Sequence, residues 1–74
     1  MDRKIDLTVV VEKDDNAFVA LCPELDIVSQ RETSEKATLN LHEALQLFFE
    51  FASEGEIEKR LNNKIEITTL TVSY

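Results

Sequence analysis

Few side chains in this sequence are suited to chemistry. Cys22 and His42 are its only Cys and its only His. One chain supplying two such ligands falls short of a zinc site, and a lone Cys excludes an internal disulfide. Covalent catalysis would need the thiol and the imidazole within hydrogen-bond reach. The patterns below place Cys22 at the end of a strand and His42 on the outward face of a helix, so a buried structural thiol and a solvated imidazole are expected. A single glycine, Gly55, excludes the glycine-rich loops that cradle phosphates, because both common kinds need several.

Carboxylates remain. Two-metal nucleases hold magnesium with Asp and Glu from a central strand and a neighbouring helix. Asp6, Asp26 and Glu43 are the three that a residual metal-dependent nuclease would use here. The closer pairs, Glu24 with Asp26 and Asp14 with Asp15, match no calcium loop, and solvated charge is the expectation for each. No cofactor is implied.

The elements that must position these groups follow from periodicity. Ile5, Leu7, Val9 and Val11 fall at period two, with Asp6, Thr8 and Glu12 as their polar neighbours, which reads as a strand over 5–11. Lys13-Asp14-Asp15-Asn16 has the composition of a hairpin turn. Ala17 to Cys22 reads as a second, antiparallel strand stopped by Pro23, which lacks a donor. Both faces of that strand are apolar, so cover by a helix on one side and by another subunit on the other is expected. Glu24-Leu25-Asp26 makes a bend, and Ile27 to Arg31 is a third strand.

Thr33 is the expected N-cap of a helix of about five turns, with Glu35 in its first turn. Ala37, Leu41, Ala44, Leu45, Phe48 and Ala52 form one stripe, while Thr38, His42, Gln46 and Glu50 face away. Leu47, Phe49 and Phe51 widen the apolar surface, and burial is expected for them under a partner or under the last part of the chain. Gly55 is the expected C-cap. Glu56 to Leu61 adds one or two helical turns closed by Asn62-Asn63. Ile65 to Tyr74 reads as a last strand, with a bulge near Thr68 and Thr69 to mend its slipped phase. The expected fold is therefore α+β, order β-β-β-α-β, a small sheet packed on one long helix, as a single domain over 1–74.

With 74 residues, 43% hydrophobic and 31% charged, the chain has the composition of a soluble globular domain near the lower size limit for a self-sufficient core. It lacks disulfides and metals to staple it, so a homodimer or higher homo-oligomer is expected. The net charge of −7 disfavours contact with phosphate backbones and suits a basic partner as well as solubility. Neither a signal-peptide run at Met1 to Asp6 nor a membrane-length apolar stretch is present, so the cytoplasm is the expected compartment.

The stretch Phe18-Val19-Ala20-Leu21-Cys22-Pro23-Glu24-Leu25, followed by Asp26 to Gln30 and Arg31-Glu32-Thr33, resembles the HicB-like antitoxin family. The family's usual text is an aromatic strand, Pro-Glu-Leu, and a short strand ending in a Gln-Gly-Glu-Thr type turn into a helix. Glu35 to Glu50, with its Glu-Lys-Ala, Asn-Leu and Glu-Ala-Leu groups and terminal aromatics, is similar to the family's helix. Close similarity covers residues 18–50. It departs at Arg31, where Gly is common, and at Asp26-Ile27, where the family often has Pro-Gly. Members often carry a further ribbon-helix-helix or helix-turn-helix domain for operator DNA. Residues 1–74 contain no such domain, so a short form of the family is expected, without direct nucleic-acid binding.

The resemblance implies a degenerate RNase H-like fold that neutralises a HicA-type toxin, a small basic ribonuclease with a functional histidine. On that reading the chain is a binding module rather than an enzyme. Charge and clustering point to Glu24, Asp26, Glu32 and Glu35 as toxin-binding candidates. Val19, Leu21, Leu47 and Phe51 are the self-association candidates. An orphan oligomeric HicB-like protein without a toxin is the alternative, and the metal-dependent nuclease a lesser one.

Overall fold

The computed structural model describes residues 4–74; the expectations resting on Met1, Asp2 and Arg3 lie outside the described residues. Three strands, β1 (Val10–Asp14), β2 (Ala17–Cys22) and β3 (Ile27–Arg31), form an antiparallel meander in the order β1-β2-β3. Helix α1 (Ser34–Phe51) and helix α2 (Glu54–Leu61) follow. The fold is a small α+β arrangement of order β-β-β-α-α.

β2 and β3 have the expected bounds because Pro23 ends one ladder and the turn at 23–26 starts the other. β1 differs from expectation: it begins at Val10 rather than Ile5 and runs on to Asp14. Val10 pairs with Leu21, so Thr8 falls opposite Pro23, which offers no N–H. The polar cluster at 13–16 shrinks to a two-residue turn because Asp14 still pairs with Ala17 and Asp15 takes φ 53°, a left-handed conformation that a short acidic side chain tolerates.

α1 starts as expected. The Thr33 hydroxyl accepts the Lys36 amide at 3.1 Å, and backbone φ −132° places Thr33 outside the helix. Its end corrects the expectation for Gly55. The chain leaves α1 through extended Ala52 (φ −75°, ψ 148°), and Ser53 then caps α2 by accepting the Glu56 amide at 3.1 Å. Gly55 thus lies inside the first turn of α2, where positive φ is not required. Asn62 closes α2.

The largest difference concerns residues 65–74. They form no strand, and all are exposed. They pair with neither edge of the three-stranded ladder, so β propensity alone does not make them a strand.

The core lies between α1 and one face of the sheet. Ala20, Cys22, Leu25, Ala37 and Leu41 are fully buried and Leu45 nearly so, with Leu7, Phe18, Ile27, Phe48, Phe49 and Leu61 packed around them. α1 lies over β2 and β3 and barely reaches β1. The opposite sheet face is uncovered: Val10, Leu21 and Val28 form one cross-strand row, with Val28 59% exposed. No described helix is long and apolar enough to cross a membrane.

Leu41→Ala is expected to cost about 2–5 kcal/mol, the range for emptying a fully buried leucine site, read as a lower urea midpoint with unchanged slope. Gly55→Ala is expected to raise stability by about 0.5–1 kcal/mol, because an added Cβ meets nothing within 4 Å and alanine favours the helix. An unchanged or lower midpoint for Gly55→Ala would contradict its helical placement.

Candidate functional site

The structure distributes the acidic candidates between the two ends of β3. Glu24 and Asp26 belong to the β2–β3 turn; Glu32 and Glu35 sit at the entry to α1. Five strand residues separate the groups by about 17 Å. They therefore make two pairs rather than one cluster.

The members of each pair also differ. Both Thr8 donors, its amide at 2.9 Å and its hydroxyl at 2.8 Å, reach the Glu24 Oε2, and the Cys22 Sγ donates to Oε1 at 3.6 Å. Partial burial pushes the Glu24 carboxyl up, but these hydrogen bonds outweigh it and hold the group below its usual value. Glu24 is thus committed to fastening residues 5–9 to the turn. Asp26 is exposed and takes φ 54°, a left-handed turn position. Glu32 accepts the Lys36 ammonium at 2.9 Å, and this bond holds its carboxyl below the usual range although both groups are well exposed. Glu35 is exposed on the first turn of α1.

Between the β2–β3 turn and α2 lies an open groove of about 770 Å³. Its walls bring Glu24, Asp26 and Glu56 together with Lys59, Arg60 and Ile65. Arg60 is the residue that sequence reasoning missed. Its Nη1 donates to the Leu25 carbonyl at 2.6 Å, its Nη2 stands 3.5 Å from Glu56, and its guanidinium lies 5.2 Å from the Phe48 ring centroid. It ties α2 to the turn and to α1 at once. The only sequence signal was a basic residue in the last turn of a short helix, a position that ordinary dipole pairing also explains.

A second polar relay joins β3 to α1. Asn40 Nδ2 donates to the buried Ser29 Oγ at 2.6 Å, and Arg31 Nη2 donates to Asn40 Oδ1 at 2.9 Å. Arg31 meanwhile ends β3 in a conformation that requires no left-handed backbone. The left-handed position of this region falls at Asp26 instead.

The catalytic candidates stay apart. Burial pushes the Cys22 thiol up, and the neighbouring Glu24 charge adds to the shift, so the thiolate is disfavoured. His42 is exposed on α1. Asp6 precedes β1, Asp26 lies in the turn and Glu43 is exposed on α1. Among the described residues no group of three or more His, Cys, Asp or Glu side chains gathers closely enough to hold a metal ion.

The self-association candidates also separate. Val19 and Leu21 are half-buried on the sheet face away from α1, while Leu47 and Phe51 sit on α1 in the other layer. The burial expected for the wide apolar side of α1 holds for Phe49, half-buried against the core, but not for Leu47 and Phe51, which are 54% and 79% exposed. Residues 65–74 do not cover them.

Comparison of the chain with family models, curated proteins and solved structures found no match in any of the three.

Glu24→Gln is expected to lower stability at neutral pH by up to about 1 kcal/mol by removing a charge-assisted acceptor. Because the folded carboxyl titrates below its unfolded value, that stabilisation is present above the ordinary carboxylate range and is lost as pH falls through the folded value. The gap between wild type and variant should therefore close in acid. Urea unfolding at pH 7 and at successively lower pH checks this, and a gap that persists at low pH would contradict it.

Proposed function

We propose that this chain is a HicB-like antitoxin domain that binds and neutralises a HicA-type ribonuclease toxin. The observation that carries the reading is the resemblance over residues 18–50, in which the aromatic strand, Pro23-Glu24-Leu25 and the Thr33-capped helix follow one another in the family's order. The three-stranded meander followed by a long helix is consistent with that order, and the RNase H-like description of the fold is part of the same proposal.

Electrostatics supplies independent support. A net charge of −7 complements a basic RNA-binding surface and speeds encounter with it. Within the acidic set, Asp26 and Glu35 are the exposed carboxylates that form no hydrogen bond or ion pair among the described residues, so they are the charges most available to a basic partner. The module acts by covering the toxin's site rather than by chemistry of its own, in the cytoplasm where such a toxin meets RNA.

The test is calorimetric titration against a small basic, histidine-containing protein encoded beside this chain, paired with an RNA-cleavage assay of that protein. Stoichiometric binding that abolishes cleavage is expected, with weaker binding at higher salt. Asp26→Lys and Glu35→Lys should each reduce affinity, chiefly through the association rate. Absence of binding to such a neighbour, or binding that leaves cleavage intact, would overturn the proposal in favour of an orphan oligomer.

A further inference from the structure

We propose that two copies of this chain associate by exchanging residues 65–74, each segment adding as a strand to the β1 edge of the other copy's sheet. This goes beyond the antitoxin reading and does not depend on it.

The segment Ile65-Glu66-Ile67-Thr68-Thr69-Leu70-Thr71-Val72-Ser73-Tyr74 is rich in β-branched and aromatic residues, contains neither Gly nor Pro, and has a single charge in a chain that is 31% charged. Such composition belongs in a paired strand. In the isolated chain every one of its residues is exposed, with Leu70 at 83% and Val72 at 73%.

The surface area quantifies the mismatch. A folded monomer of 8.5 kDa should expose about 4,700 Å², whereas this chain exposes 6464 Å². The excess, roughly 1,800 Å², exceeds the ~800 Å² that each partner of a stable complex ordinarily buries. The radius of gyration, 14.3 Å, is likewise above the ~11 Å of a compact chain this long.

The receptor for the segment is present in the same chain. β1 pairs only with β2, all five of its residues are exposed, and α1 barely reaches it. The edge is uncharged at Val10 and Val11, and Leu7, Thr8 and Val9 continue it without charge or proline, whereas Glu12, Lys13 and Asp14 guard its far end, so the usual protections of an edge strand are missing from its first half. The uncovered row Val10, Leu21 and Val28 adjoins it. α2 is meanwhile held in place by Arg60 on the Leu25 carbonyl, so residues 62–64 alone carry the segment away from the core. Reciprocal exchange satisfies both edges in one closed two-fold pair.

Light scattering on the full chain should give twice 8.5 kDa, with the amides of 65–74 protected from hydrogen exchange. The double variant Leu70→Lys, Val72→Lys should keep the helical circular dichroism, since the core lies elsewhere, yet become monomeric and lose that protection. A second measurement avoids these substitutions. A donor on Ser73→Cys in one preparation and an acceptor on Lys13→Cys in another should give energy transfer after mixing, because Cys22 is buried and unlabelled. A monomeric wild type would overturn the proposal, whether 65–74 are unprotected or folded back on their own chain. So would a dimer that the double variant leaves intact, or mixing without energy transfer.

Discussion

The contact between Ala20 and Cys22 of β2 and the Ala37, Leu41 and Leu45 stripe of α1 holds the described structure together. Small side chains on the central strand let the helix approach closely, and Leu25 closes one end of the seam. The arrangement is economical in residues and thin in buried area: half of the six core side chains are alanine or cysteine. Little hydrophobic free energy is available to hold the remaining elements, so they are fastened by directed polar contacts.

Two of the fastenings join segments that the core holds weakly, and the remaining one reinforces the seam between β3 and α1. Glu24 brings the Thr8 region to the β2–β3 turn, Asn40 couples Ser29 and Arg31 to α1, and Arg60 connects α2 with the turn and with Phe48. The buried side-chain nitrogen and oxygen atoms among the described residues all have a hydrogen-bond partner. Because these bonds leave Glu24 fully engaged, the acidity of the turn is presented by Asp26 rather than by the pair.

β2, β3 and α1 were legible because their signals are local: alternation bounded by Pro23, the Thr33 cap and a helical stripe of Ala37, Leu41 and Leu45. The errors fall where the outcome depends on a distant neighbour. Ile5 to Val9 alternate like a strand, but the ladder stops with its partner. Gly55 looks like a helix end until Ser53 starts another helix two residues earlier. Ile65 to Tyr74 have strand composition without a strand to join. Arg60 was invisible because its three contacts come from three separate elements. Of the candidate site, the identity of the acidic residues was readable, but their division between opposite ends of β3 was not, because sequence proximity hides the length of an extended strand.

The meander has a further consequence for the timing of folding. β1 pairs with β2, β2 with β3, and α1 packs on the two strands before it, so the core assembles from elements that are neighbours in the chain. Local topologies of this kind close quickly. The buried side chains of the seam all lie between Ala20 and Leu45. Residues 65–74 contribute none of them, so closing the core does not wait for their placement.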